Sequence, residues 1–98
     1  MTQQFEWDRL KAEDNLEKHG VSFDEALTVF ADPLARIRDD PDHSTEERRE
    51  ILVGHSVRRR ILVVGFTERG TKVRIITARR ATAKERKNYE EGEKQEGD

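Results

Sequence analysis

The stretch RILVVGFTERGTKVRIITA, residues 60–78, decides the fold, because it contains two strand-like runs joined by a short polar turn. The first run includes the continuous apolar segment from Ile61 to Val64, which is typical of a central, buried strand. The turn ERGT is short and contains a glycine, as antiparallel connections do. The two runs therefore predict adjacent antiparallel strands at the centre of a sheet.

Two further strand-like segments precede this pair. RREILVGH, residues 48–55, is separated from it only by SVRR, which again allows antiparallel pairing. LARIRDD, residues 34–40, alternates Ile37 with arginines on both sides, as expected for a half-exposed strand. The sequence therefore predicts a four-stranded antiparallel sheet.

Helix signals flank the four strands. Asp8 can cap a first helix over residues 8–19, and Gly20 stands where a left-handed residue ends helices. Ser22 begins a capping box for a second helix that Pro33 helps to end. The apolar spacing predicts that these helices face the core with Ala12, Asn15, Leu16 and His19 in the first, and Phe23, Ala26, Leu27 and Phe30 in the second.

A third helix is predicted after the last strand. Thr82 and Glu85 repeat the capping-box spacing, so this helix should run from Ala83 to about Glu91. Residues 92–98 contain three acidic residues and one lysine, and they are predicted to form an acidic, flexible tail. The predicted fold class is α+β, with two N-terminal helices, a four-stranded antiparallel sheet and a C-terminal helix.

Composition limits the classes of protein that the chain can represent. Its 98 residues allow one domain with a modest core, and 41% of them are charged. There is no cysteine, which excludes disulfides and thiolate metal sites. No apolar stretch approaches the roughly 20 residues of a membrane helix, and the first residues lack a signal-peptide core. We therefore expect a cytoplasmic protein that does not contact a membrane.

The small net charge of −2 conceals a strong separation of charge along the chain. Residues 1–50 contain 7 basic and 14 acidic residues, whereas residues 51–89 contain 11 basic and 2 acidic residues. Eight of those 11 basic residues are arginines, whose paired donors suit phosphate binding. The distribution favours a polyanion ligand for the basic half, although exposed strands and helices commonly carry charge without binding anything.

Several short motifs occur in order between residue 5 and about residue 91. They are Trp7-Asp8, Lys18-His19-Gly20, Asp32-Pro33, Thr67-Glu68-Arg69-Gly70, and Ala78-Arg79-Arg80-Ala81-Thr82 followed by Glu85-Arg86 and Tyr89. Together they resemble the BrnT family of bacterial type II toxins. The resemblance implies a BrnT-like toxin domain over residues 1–91 with a RelE-like fold, and cleavage of RNA that arrests translation.

The same resemblance implies a protein partner. Toxins of this kind are neutralised by a BrnA antitoxin, which resembles ribbon-helix-helix DNA-binding proteins. The pair would then bind operator DNA through the antitoxin. No cofactor is expected. The alternative function is a non-catalytic nucleic-acid-binding module that acts with a partner protein.

Metal-independent RNA cleavage needs a base, an acid and positive donors for the phosphorane-like transition state. We predict that Arg79, Arg80 and Arg86 bind the scissile phosphate. Glu85 or Tyr89 would transfer a proton or stack a base. Other basic residues are predicted to contact RNA, namely Arg58, Arg59, Arg60, Arg69, Lys72, Arg74, Lys84 and Lys87.

Structural roles for the same residues remain open at the level of sequence. Glu85 has the spacing of a capping partner for Thr82, and Tyr89 could cover the edge of the sheet. Arg79 and Arg80 point to opposite sides of an extended strand, so only one of them should reach a given site. Either arginine could instead pair with acidic residues of the first helix.

The histidines and the acidic loop are weaker candidates. His55 lies at a strand end near the basic face and is a candidate acid or base, whereas His19 is placed to interact with the end of the first helix. His43 lies in the loop DDPDHSTEE, residues 39–47. This loop has threonine at the EF-hand glycine position, and isoleucine follows at the position of the bidentate glutamate, so we predict an acidic turn and no metal.

Overall fold

The structure is a computed structural model that describes residues 4–43 and 47–96, with side chains described as far as residue 92. Within these ranges the chain forms five strands and three α-helices. In chain order they are β1 (Gln4–Glu6), α1 (Arg9–His19), α2 (Phe23–Thr28) with a 3₁₀ turn (Val29–Ala31), β2 (Arg36–Asp39), β3 (Arg49–His55), β4 (Ile61–Arg69), β5 (Lys72–Arg80) and α3 (Ala83–Glu96). Ser44 and Thr45 of the acidic loop lie outside the described residues.

The five strands form one mixed sheet in the order β1-β5-β4-β3-β2. Strands β2 to β5 are antiparallel neighbours, and β4 lies at the centre as predicted. The prediction of four antiparallel strands was incomplete, because β1 runs parallel to β5 with Phe5 opposite Val73. A three-residue strand is too short to show a period of two, and its partner lies almost 70 residues away in the chain.

The hydrophobic core lies between α1, α2 and one side of the sheet, which we call the first face. Its members are Val21, Phe23, Ala26, Val29, Leu52, Leu62, Val64, Phe66, Val73, Ile75 and Ala78. Phe30 joins the helices to the sheet through edge-to-face contacts with Phe5 and Phe66, at centroid distances of 4.9 and 5.1 Å. Such pairs add to the area-dependent stabilisation of the core.

Helix α1 begins and ends as its sequence predicts. The Asp8 carboxylate accepts hydrogen bonds from the amides of Leu10 and Lys11, and Gly20 has a φ of +68°. The predicted core face of α1 was half right: Asn15 is buried and Ala12 packs against the core, whereas Leu16 is 51% exposed and His19 is also exposed. The Asn15 side chain exchanges hydrogen bonds with the backbone of Ala78 at 2.8 and 3.1 Å. A polar amide, and not an apolar stripe, therefore attaches α1 to β5.

Helix α2 is shorter than the predicted helix and tightens into a 3₁₀ turn after Thr28. Ser22 caps it by accepting a hydrogen bond from the Glu25 amide at 3.0 Å. The Glu25 carboxylate does not complete a capping box, because it turns towards Arg60 and Ser56. Arg60 ends a tight β3–β4 hairpin in which Arg59 has a φ of +64°, a conformation that usually favours glycine.

Helix α3 lies across the opposite side of the sheet, which we call the second face. Its positions Glu85, Tyr89 and Gly92 are spaced i, i+4 and i+7, and they contact Arg79 of β5, His55 of β3 and Arg36 of β2 respectively. The helix continues to Glu96, so the predicted end near Glu91 was too early and most of the predicted tail is helical. Gly97 and Asp98 lie outside the described residues.

Candidate active site

The end of β5 separates the two arginines that the sequence placed together. Arg79 is opposite Val63 in β4, whereas Arg80 is opposite Leu62, which belongs to the core on the first face. Adjacent strand residues point to opposite faces, so Arg79 lies under α3 on the second face. The Arg80 side chain is exposed and points to the first face, and only its backbone carbonyl contacts Arg79, accepting a hydrogen bond from Nη1 at 3.3 Å.

Arg79 is held by a bidentate ion pair with Glu85. Its Nη1 and Nη2 atoms donate hydrogen bonds to the two carboxylate oxygens at 2.7 and 2.8 Å. Glu85 Oε1 also accepts a hydrogen bond from the Thr82 amide at 2.8 Å, and Thr82 Oγ1 accepts one from the Glu85 amide at 3.1 Å. The predicted capping box is therefore present, and it shares its carboxylate with Arg79.

These contacts fix the protonation state of Glu85. The Arg79 guanidinium, assisted by the Thr82 amide, outweighs partial burial and lowers the pKa of Glu85 from 4.5 to about 2. Near neutral pH the carboxylate is ionised, and both of its oxygens accept hydrogen bonds. This geometry suits a residue that orients an arginine better than one that transfers a proton.

Tyr89, His55 and Asp32 meet where β3 extends beyond its pairing with β2. Tyr89 is 2% exposed, and its hydroxyl donates to Asp32 Oδ2 at 2.6 Å. His55 Nδ1 lies 3.2 Å from the same hydroxyl, and the two rings make an edge-to-face contact at 5.2 Å. Because Tyr89 is buried, the stacking of an RNA base on its ring has no support in this geometry. The His55 side chain is 44% exposed and can be reached from solvent.

The Asp32 side chain supplies the hydrogen-bond acceptor that a neighbouring strand would otherwise provide at this edge of β3. Pairing between β2 and β3 ends at Arg36 and Val53, and Asp32 Oδ2 then accepts a hydrogen bond from the His55 amide at 2.8 Å. Gly54 makes room for it, since a Cβ there would lie 2.8 Å from Asp32 Oδ2. Burial raises the pKa of Asp32, but the hydrogen bonds from Tyr89 and from the two backbone amides outweigh it, so the pKa is lowered.

Two grooves adjoin this cluster. The arginine groove has a volume of about 310 Å³ and is lined by Arg36, Ile37, Arg38, Val53, Glu85, Asn88 and Tyr89. The apolar groove is a shallow depression of about 720 Å³ lined by Phe5, Leu27, Thr28, Phe30, Ala31, Asp32, His55, Ser56 and Val57. The hydrogen bond between His55 and Tyr89 joins a residue of one groove to a residue of the other. The cluster therefore lies at their junction.

The other predicted RNA contacts are distributed over several surfaces. Some of them form ion pairs: Arg60 with buried Glu25, Arg69 with Glu47, and Lys72 and Arg74 with Glu6. The Arg60 pair sets the charge of Glu25, whose pKa it lowers despite burial. Arg58, Arg59, Lys84, Arg86 and Lys87 are exposed. The structure thus does not gather all these residues into one site.

Asp32, Arg36 and Arg38 are members of this site that sequence reasoning did not select. Asp32 was noted only in the Asp32-Pro33 motif of the family resemblance. Arg36 and Arg38 were noted only as the polar positions that flank Ile37. The alternation around Ile37 did indicate their position. It places Arg36 and Arg38 on one face of the sheet, together with their partners Val53 and Ile51 in β3.

The described residues, 4–43 and 47–96, contain neither a cluster of metal ligands nor a membrane-spanning helix. In those ranges, no group of three or more histidine, cysteine, aspartate or glutamate side chains is arranged to hold a metal ion. Among the helices of the same ranges, none is long and apolar enough to cross a membrane.

The fold and the site define a small α+β protein with a histidine at the junction of an arginine-lined groove and an apolar groove. Residues 7–85 match the family model described as the ribonuclease toxin, BrnT, of type II toxin-antitoxin systems. The chain therefore belongs to the BrnT family of ribonuclease toxins.

The fold has an experimental counterpart. The 1.1 Å crystal structure of the Brucella abortus ribonuclease toxin, BrnT, superposes with a TM-score of 0.65 at 23% sequence identity, covering 83% of this chain and 99% of that chain. At this identity the similarity establishes the shared fold. No match was found among curated protein sequences.

Proposed function

We propose that this protein is an endoribonuclease toxin that cleaves RNA without a metal ion and thereby arrests translation. The observation that carries the proposal is the position of His55. Its ring is partly exposed, is supported from behind by Tyr89 and Asp32, and lies at the junction of the two grooves. Histidine is the side chain best suited to proton transfer near neutral pH.

In the proposed reaction the ribose 2′-oxygen attacks the adjacent phosphorus, and the bond from phosphorus to the 5′-oxygen breaks. The 2′-hydroxyl loses a proton and the leaving 5′-oxygen gains one, so the products are a 2′,3′-cyclic phosphate and a free 5′-hydroxyl. We assign one of these two proton transfers to His55. Glu85 is the weaker candidate, because its lowered pKa makes it a poor acid and a poor base at pH 7.

The arginines stabilise the negative charge that develops on the phosphate oxygens. Arg79 is oriented for this role by Glu85, and Arg36 and Arg38 line the adjoining groove. Arg80 and Arg86 are exposed and would contact RNA outside the cleavage position. The exposed Arg58, Arg59, Lys84 and Lys87 would extend the contacts along the substrate.

The partner in this proposal is a BrnA-like ribbon-helix-helix antitoxin in the cytoplasm, and operator DNA is bound only through the complex. Family membership supports an antitoxin partner. The arginine groove supports the mode of inhibition, since an acidic antitoxin segment placed there would neutralise the cations and exclude RNA.

The alternative, a non-catalytic nucleic-acid-binding module, is favoured by one specific observation. Both carboxylate oxygens of Glu85 accept hydrogen bonds from Arg79, so this candidate proton-transfer group is already occupied, as it could be in a protein that holds RNA without cleaving it. This alternative predicts tight RNA binding and no cleavage product.

Cleavage of end-labelled RNA in EDTA tests the proposal directly. His55→Gln should reduce the rate by about 100-fold or more, because general acid–base catalysis contributes on that order. His43→Gln is a matched control, since His43 is an exposed histidine outside the cluster, with its Nδ1 3.0 Å from Asp40 Oδ2. RNA binding by the unmodified protein without cleavage would contradict the proposal and support the alternative, provided that circular dichroism shows folded protein.

A further inference from the structure

Asp32 and Tyr89 form a hydrogen-bonded chain behind His55. Within the described part of the chain, the Tyr89 hydroxyl lies near Asp32 Oδ2 at 2.6 Å and His55 Nδ1 at 3.2 Å, and it has one proton to donate. The shorter hydrogen bond, to a carboxylate, is the stronger one, so the Tyr89 hydroxyl donates its proton to a hydrogen bond with Asp32. The tyrosine oxygen then offers only lone pairs to the histidine.

This direction of donation determines which imidazole nitrogen carries the proton. Nδ1 can interact with the tyrosine oxygen only as a donor, so it carries the hydrogen of the neutral ring. Nε2 is then the nitrogen with the free lone pair. Within the described part of the chain, Nε2 has no hydrogen-bond partner, while the ring remains 44% exposed to solvent.

The support for this chain of hydrogen bonds is rigid. Asp32 is held by two backbone amides, those of Leu34 at 2.9 Å and His55 at 2.8 Å. Tyr89 is buried on α3, and the α3 capping box is tied to β5 through Arg79. The carboxylate and the hydroxyl therefore cannot easily exchange partners.

We propose that Asp32 and Tyr89 are positioning residues, which hold His55 in the tautomer that exposes the Nε2 lone pair towards the RNA substrate. This inference rests on the proposed ribonuclease function and deepens it. Neither residue contacts the substrate: Asp32 acts on Tyr89, and Tyr89 acts on the imidazole. Because His55 is otherwise intact, loss of the hydroxyl should reduce turnover and leave RNA binding unchanged.

The test compares Tyr89→Phe with the unmodified protein in two measurements. The first is steady-state cleavage of RNA in EDTA, where kcat should fall at least 10-fold with little change in KM. The second is a ¹⁵N–¹H spectrum of the imidazole rings at a pH at which they are neutral. The unmodified protein should show His55 protonated at Nδ1, and Tyr89→Phe should shift it towards protonation at Nε2. The signals of His19 and His43 provide internal references.

Thr67→Val is the matched control for loss of a buried hydroxyl. Thr67 is 2% exposed and donates to the Arg48 carbonyl at 2.8 Å, near the far end of β4. This variant should keep both the kcat and the tautomer of the unmodified protein. If Tyr89→Phe does not fold, Asp32→Ala provides the second test. Without an acceptor at position 32, the Tyr89 hydroxyl can donate to His55 Nδ1, so the same tautomer shift and loss of kcat are expected.

Two results would overturn the positioning role while leaving the ribonuclease proposal intact. One is an unchanged kcat in a folded Tyr89→Phe or Asp32→Ala protein, and the other is a fall in kcat without any tautomer change at His55. Absence of cleavage by the unmodified protein would overturn both proposals. The spectra of that protein would still show whether the hydrogen-bond direction is correct.

Discussion

Replacement of Glu85 by glutamine tests the ion pair that joins α3 to β5. The variant removes the negative charge beside Arg79 but keeps a side-chain oxygen that can accept the hydrogen bond from the Thr82 amide. The pKa of Glu85 is lowered from 4.5 to about 2. At about 1.4 kcal/mol for each pKa unit, this shift corresponds to an upper limit of roughly 3 kcal/mol.

Solvent screening reduces this upper limit. The side chains of Arg79 and Glu85 are 39% and 25% exposed, so part of the interaction is lost to water. We therefore expect Glu85→Gln to lower the free energy of unfolding at pH 7 by about 1–2 kcal/mol. Urea denaturation followed by circular dichroism measures this difference.

The pH dependence identifies the cause of the loss. A carboxylate with a lowered pKa stabilises the fold fully above about pH 4.5, and this contribution is lost as the pH falls towards about 2. The difference between the two proteins should therefore shrink by more than half between pH 7 and pH 3. Glu91→Gln is the control, because Glu91 forms only an exposed pair with Lys87 at 3.9 Å. A difference that is constant with pH, or equal to that of the control, would refute the assignment.

Three further predictions concern stability and binding. Arg59→Gly should raise the free energy of unfolding by about 0.5–1 kcal/mol in urea titrations, because φ is +64° at this position. Glu25→Gln should lower it by about 3 kcal/mol, since Arg60 would lose its buried partner; a loss below 0.5 kcal/mol would contradict this. Gly92→Ala should change the free energy of unfolding by less than about 1 kcal/mol, because the higher helix propensity of alanine offsets the collision of the new Cβ with the Arg36 guanidinium. The same collision displaces Arg36 from its groove, so RNA binding should weaken in filter assays.

Local chemistry explains what the sequence predicted well. Asp8 and Gly20 delimit α1 because a cap acts on amides and carbonyls within four residues. The apolar run from Ile61 to Val64 identified the central strand because only a central strand is covered on both faces. Such features need no knowledge of distant parts of the chain.

Distant pairs account for what the sequence did not reveal. Asp32 and Tyr89 are separated by 57 positions, and their contact depends on where α3 crosses the sheet. The two capping boxes make the same point: Ser22 and Glu25 have the same spacing as Thr82 and Glu85, yet only the second pair is reciprocal. Glu25 instead meets Arg60, 35 positions away, and a charged guanidinium competes better for a carboxylate than a backbone amide does.

The crossing of α3 also constrains how this protein can evolve. One extra residue between β5 and the helix would rotate α3 by about 100°, because an α-helix has 3.6 residues per turn. Glu85, Tyr89 and Gly92 would then all lose their contacts with the strands of the sheet. A point substitution removes one of these contacts, whereas an insertion or deletion removes all three. We therefore expect the length of the connection formed by residues 81–82 to be the same in every active relative, even where its residues differ.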